Sequence, residues 1–67
     1  MLSARNQIKG TVASVKLGTV MAEVVIKAGG FEIVSAITRD SAERMKLKAG
    51  DEVTAVIKAT EVLVSKG

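Results

Sequence analysis

Val20-Met21-Ala22-Glu23-Val24-Val25-Ile26-Lys27-Ala28, then Gly29-Gly30, then Phe31-Glu32-Ile33-Val34-Ser35-Ala36-Ile37: this stretch decides the fold. Val20, Ala22, Val24, Ile26 and Ala28 alternate with a second set that holds Glu23 and Lys27. A period of two puts the apolar set on one face of a strand and the charges on the other. Gly-Gly between two such runs marks a tight hairpin, because glycine reaches the positive φ values that two-residue turns demand. Phe31, Ile33, Ser35 and Ile37 carry the alternation into a return strand.

On the N-terminal side, residues 8–17 read as another strand. Ile8, Gly10 and Val12 share one face, and then the apolar parity shifts to Val15 and Leu17. A parity shift inside a strand predicts a bulge or sharp bend, as in a small barrel. Gly18-Thr19 turns the chain into the hairpin.

On the C-terminal side, Thr38-Arg39-Asp40-Ser41-Ala42-Glu43-Arg44-Met45 predicts a helix of roughly two turns, with Ala42 and Met45 facing inward. Asp40 with Glu43 matches a capping box, and Thr38 or Ser41 is an alternative cap. Residues 46–51 form a turn. Val53, Ala55 and Ile57 then alternate with Glu52, Thr54, Val56 and Lys58 in a fourth strand. A break at Ala59-Thr60 leads to a fifth strand over residues 61–65. The expected architecture is all-β: a five-stranded OB-like barrel with one short helix between strands 3 and 4. It forms a single domain over residues 1–67.

Composition agrees and adds a constraint. Val, Ile and Thr supply 20 of the 67 residues and Pro is absent, which favours strands. A chain this short buries only about 60% of its unfolded surface, so its core is marginal. There is no Cys and no His, which excludes disulfides and ordinary zinc sites as staples. Yet 48% of the residues are apolar. The simplest resolution is that part of that surface is buried between subunits, so we expect an obligate homo-oligomer.

The same absences bear on function. Without His or Cys, the commonest general bases and the thiol nucleophile are missing, and no enzyme activity is expected. No stretch has the length and apolarity of a signal peptide or membrane span, so no membrane partner is expected. The lack of Cys fits the cytoplasm. The net charge of +3 suits anions in general. It is too small and dispersed to demand nucleic acid. Surfaces that bind single strands stack bases on aromatics, and Phe31 is the one aromatic residue here.

Four places offer donors. Met1-Leu2-Ser3-Ala4-Arg5-Asn6-Gln7 is either a solvated arm or a donor set, with a hydroxyl, a guanidinium and two amides and no acid. Thr38-Arg39-Asp40-Ser41 is either an ordinary N-cap or an anion-favouring helix start. Lys58 is either a solvated lysine or a cation beside the chain break. Gly29-Gly30 sits between strands rather than before a helix, so it reads as a turn and not as a phosphate loop. Taken together, Ser3, Arg5, Thr38, Ser41 and Lys58 supply two cations and several neutral donors, which matches a small tetrahedral dianion.

These residues also resemble a known family. Ser3-Ala4-Arg5-Asn6-Gln7 followed by Ile8-Lys9-Gly10 is similar to the opening of the molybdate-binding Mop module. Ile37-Thr38-Arg39-Asp40-Ser41 resembles its central element. Leu47-Lys48-Ala49-Gly50-Asp51-Glu52-Val53 and Ala55-Val56-Ile57-Lys58-Ala59-Thr60-Glu61-Val62 resemble its last third. A free-standing module of this kind looks like a molbindin. The resemblance implies a hexamer built as a trimer of dimers, with molybdate or tungstate bound between subunits as an oxyanion and no organic cofactor. Ser3 and Arg5 would come from one subunit. Thr38, Ser41, Lys58 and the backbone N–H groups of Ala59 and Thr60 would come from another. The implied role is cytoplasmic storage or buffering of the oxyanion. The alternatives are a nucleic-acid-binding OB domain, or an interaction module of a molybdate-responsive regulator.

Overall fold

The computed structural model describes residues 6–67. Four strands form one antiparallel sheet: β1 (Asn6–Leu17), β2 (Met21–Ala28), β3 (Phe31–Thr38) and β4 (Glu52–Ile57), in the order β3-β2-β1-β4. A short helix, α1 (Arg39–Arg44), joins β3 to β4, and a 3-10 turn covers Ala59–Glu61.

β1 is long because it serves two neighbours. Its first half pairs with β4, from Asn6↔Ile57 to Thr11↔Glu52. Its second half pairs with β2, from Thr11↔Lys27 to Leu17↔Ala22. The register shifts between Val12 and Ser14, where the sequence parity changes. The extra residue bends the strand and lets Val12 and Val15 face one side despite their odd spacing. The chain entering β4 is tied to this bend. The Val12 N–H donates to the Asp51 carbonyl, and the Gly50 N–H donates to the Val12 carbonyl, both at 2.8 Å.

The hairpin is as the alternation predicts. Ala28 pairs with Phe31, leaving Gly29-Gly30 as the turn, with Gly29 at φ +63°. On β2, Ala22, Val24, Ile26 and Ala28 are buried, while Glu23 and Lys27 are exposed. The core is Val12, Val24, Ile26 and Ala55, with Val15, Ile33, Ile37, Leu47 and Val53 packed around it. It is thin: the other buried apolar side chains among the described residues are all alanines, Ala22, Ala28 and Ala42. Burying one Val or Ile fully contributes about 1.5–3 kcal/mol, whereas alanine offers a single methyl.

Helix α1 starts two residues earlier than the acidic pair suggests. Thr38, and not Asp40, is the N-cap, and its side chain accepts the Ser41 N–H. Asp40 and Glu43 are spent on ion pairs instead, as described below. At the other end Lys46 N–H donates to the Glu43 carbonyl and Leu47 N–H to the Ala42 carbonyl, at 3.0 and 3.2 Å. This is a Schellman closure, and it needs a left-handed residue just past the helix. That residue is Lys46, at φ 53°. An L side chain in that conformation costs about 1 kcal/mol. Lys46→Gly is therefore expected to stabilise the fold by roughly 0.5–1 kcal/mol, read as a higher melting temperature. A fall would mean that the Lys46 side chain makes a compensating contact.

Three sequence expectations change. Val20, expected on the inward face of the second strand, precedes β2 and is 68% exposed. Met45, expected inward, is the C-cap of α1 and is 57% exposed. The fifth strand over residues 61–65 does not form within this chain. Glu61 ends the 3-10 turn, and residues 62–67 join no ladder. A strand exists only against a partner edge, and residues 62–67 pair with neither free edge of the sheet.

Candidate functional site

Thr38 closes β3 and opens α1. Its backbone stays extended at φ −70°, ψ 148°, which aims Oγ1 at the first turn of the helix. Oγ1 accepts the Ser41 N–H at 3.1 Å, and the Thr38 hydroxyl donates to Ser41 Oγ at 2.8 Å. The Ser41 hydroxyl proton is left over, and it has no acceptor among the described residues. Thr38 and Ser41 thus form one preset pair of hydroxyls, with a donor to spare.

The charges interleaved with that pair are engaged elsewhere. Arg39 Nε lies 3.5 Å from Glu43 Oε2, and Arg39 Nη1 donates to the Gly18 carbonyl at 3.3 Å. Arg39 also donates its N–H to the Val20 carbonyl at 2.8 Å, so it straps α1 to the β1–β2 turn. Arg44 Nε meets Asp40 Oδ2 at 2.9 Å. Both pairs are exposed and contribute at most about 1 kcal/mol each. Their larger effect is local. They hold the carboxylates of Asp40 and Glu43 on cations of their own, in a helix whose first turn favours anions.

Lys58 follows the last residue of β4 with extended backbone and is exposed. Unlike Lys48, whose Nζ is 3.4 Å from Asp51 Oδ1, it has no carboxylate within ion-pair distance among the described residues. Ala59 and Thr60 open the 3-10 turn. The turn's own bonds begin later, from Glu61 N–H to the Lys58 carbonyl at 2.9 Å and Val62 N–H to the Ala59 carbonyl at 3.3 Å. The N–H groups of Ala59 and Thr60 precede that ladder and have no backbone acceptor among the described residues. An ammonium and two amides without a backbone acceptor among the described residues therefore sit on consecutive residues.

The candidate residues fall into two groups on different edges of the sheet. Thr38 pairs with Met21 at the end of β3, one edge strand. Lys58 follows Ile57, which pairs with Asn6 in β4, the other edge strand. Ser3 and Arg5 lie outside the described residues. Between the two edges opens a groove of about 580 Å³, lined by Val24, Ile26, Ile33, Ile37 and Val53, and also by Lys58 and Glu61. The alternation in sequence showed which faces are apolar. It carried no sign that the sheet stays open between β3 and β4.

Chemically the set offers hydroxyl, amide and ammonium donors, with no carboxylate or imidazole among them. Such a set binds an anion and orients it. Among the described residues no group of His, Cys, Asp and Glu is gathered to hold a metal cation. No helix there is long and apolar enough to cross a membrane.

Comparison with known proteins gives one consistent result. The TOBE domain model matches residues 2–64. Molybdenum-pterin-binding protein 3 of Clostridium pasteurianum is 53% identical over 64 residues, covering 94% of each chain. The solved structure of a molybdate-binding protein from Sporomusa ovata superposes with a TM-score of 0.94 at 47% identity, covering 98% of both chains. The cytoplasmic molybdate-binding protein ModG, solved with molybdate bound, matches 87% of this chain at 49% identity and a TM-score of 0.83. This chain spans 42% of the ModG chain, so there the fold is part of a larger protein. The motifs at residues 3–10, 37–41 and 47–62 and the superposition of the fold agree: the chain belongs to the TOBE-domain family, and within it to the Mop, or molbindin, proteins.

Proposed function

We propose that this protein binds molybdate or tungstate at sites shared between copies of a homo-oligomer, and that it stores or buffers the oxyanion in the cytoplasm without turning it over. The preset Thr38–Ser41 hydroxyl pair, with its spare donor, carries the reading. Lys58 and the amides of Ala59 and Thr60 supply the charge and further donors from the other sheet edge. Ser3 and Arg5 supply a hydroxyl and a guanidinium from a neighbouring copy. A set of neutral donors and cations without a carboxylate suits an anion that never needs to give up or receive a proton. The relatives support the same ligand, since they are molybdenum-pterin-binding and molybdate-binding proteins. A hexamer made as a trimer of dimers is the assembly we assign.

Equilibrium dialysis against molybdate, sulfate and a single-stranded oligonucleotide tests this directly. Saturable binding of molybdate, with little of the other two, is expected. The molybdate arm contains no pterin, so binding there makes the bare oxyanion a sufficient ligand. Retention of the oligonucleotide instead would favour a nucleic-acid-binding domain.

Ligand should also stabilise the assembly. An oxyanion that bridges copies binds only the assembled state, and a hundredfold excess over the dissociation constant adds about 2.7 kcal/mol. A clear rise in melting temperature is expected with molybdate or tungstate, and little with equal sulfate. Equal shifts for all three would reduce the effect to ionic strength.

A further inference from the structure

Arg39 stands between the two hydroxyl residues in sequence, and three of its groups are committed to the elements around them. Its N–H donates to the Val20 carbonyl at 2.8 Å, one residue past the Met21↔Thr38 pair. Its guanidinium Nη1 donates to the Gly18 carbonyl at 3.3 Å, and Nε lies 3.5 Å from Glu43 Oε2. The Gly18 carbonyl has no backbone donor among the described residues. The turn there closes on the opposite bond, from the Gly18 N–H to the Met21 carbonyl at 2.7 Å. Arg39 thus takes up an acceptor that the turn leaves open. The second arginine of α1 provides a contrast. Arg44 also pairs with a carboxylate, that of Asp40, but it meets no other element among the described residues and its side chain is 79% exposed. That of Arg39 is 43% exposed, because it lies along the turn.

The helix has little else to hold it. α1 spans six residues and buries one side chain, Ala42. A single methyl contributes too little burial to fix a helix against tilting on a sheet. The Thr38–Ser41 pair is set internally by the N-cap. Its place relative to donors on other elements depends on how α1 sits. Two tetrahedral dianions of equal charge feel the same charge attraction, so a site tells them apart by the spacing of its donors. Small displacements of such donors are costly. We propose that Arg39 is a positioning residue for oxyanion selectivity. By strapping α1 to the β1–β2 turn, it holds the Thr38–Ser41 hydroxyls at the spacing that admits molybdate over sulfate, without touching the ion itself. This role rests on the oxyanion site proposed above, and it names what makes that site selective.

Arg39→Ala and Arg39→Met both remove the guanidinium, and the second keeps an aliphatic stem. Arg44→Ala is the matched control. It also removes one cation from α1 and frees one carboxylate, yet it breaks no link to the sheet. Affinity is measured for molybdate, and for sulfate as its competitor. Both Arg39 variants should bind molybdate about threefold to tenfold more weakly, as the loss of one hydrogen bond allows, with sulfate changed less than about twofold. Arg44→Ala should move both ions together and keep their ratio. Equal losses for the two ions in the Arg39 variants, or no loss, would overturn the proposal. Backbone hydrogen exchange gives a reading without ligand. The Ser41 amide should exchange about threefold to tenfold faster in the Arg39 variants while the amides of β2 keep their rates. An unchanged Ser41 rate would show that the strap does not hold the pair, and would overturn the proposal as well. The two readings fail separately. Absence of molybdate binding by the unsubstituted protein defeats the oxyanion site and the selectivity role with it. Molybdate binding with an unchanged molybdate-to-sulfate ratio in the Arg39 variants defeats the role of Arg39 alone.

Discussion

Gly10→Val is expected to unfold much of the sheet. Gly10 lies on β1 just before the bend, where β2 crosses closest. A Cβ at this position would stand 2.6 Å from the Lys27 carbonyl oxygen and 2.7 Å from Ile26 Cγ2. The first neighbour is backbone in the β1–β2 ladder, and the second belongs to a side chain only 6% exposed. Neither can retreat without breaking the pairing or emptying the core. The cost should reach the upper end of overpacking penalties, about 3 kcal/mol or more. In a domain of this size that lowers the melting temperature by roughly 12–24 °C. Gly30→Ala is the control, since nothing lies within 4 Å of its added methyl. Equal melting of both variants would show that β1 and β2 do not meet closely at Gly10.

Lys58→Ala should cut molybdate affinity roughly tenfold or more while leaving the melting temperature of the unliganded protein unchanged. The side chain is exposed and follows the last residue of β4, so its removal disturbs no core contact. A charge-assisted hydrogen bond contributes about 1.5–3 kcal/mol, and about 1.4 kcal/mol is one decade in affinity. Arg5→Ala should weaken binding as much, if Arg5 reaches the same dianion from a neighbouring copy. The two variants then complement each other. Mixed oligomers regain intact sites wherever a chain with Arg5 meets a neighbour with Lys58. Lys16→Ala, an exposed lysine on β1, should change binding less than either. Full-strength binding by both site variants would remove Arg5 and Lys58 from the site. Assembled mixtures that recover nothing would place both residues on one subunit. Thr38→Ala is a poorer probe, because it also removes the N-cap of α1.

Residue pattern alone determined much of this protein. The alternation from Val20 to Ala28 and the Gly29-Gly30 break dictate a hairpin, because side-chain direction in a strand repeats every two residues whatever surrounds it. The parity shift before Val15 announced the bend in β1 for the same local reason. That Ser3, Arg5, Thr38, Ser41 and Lys58 offer donors and no carboxylate was legible too, since hydroxyls, guanidinium and ammonium are properties of residue type.

The tertiary structure decided what depends on partners distant in sequence. Three residues competed to cap α1. Thr38 prevailed because β3 delivers it in extended conformation, while Asp40 and Glu43 turned to Arg44 and Arg39. Met45 looked inward by helical spacing, but the helix stops before it and the Schellman closure buries more of Leu47 instead. Residues 61–65 carry the composition of a strand, yet composition cannot supply the edge a strand must pair with. In this chain residues 62–67 pair with neither edge, so β3 and β4 stay open. Pairing between distant segments is set by where the backbone can go, and only the folded chain fixes that.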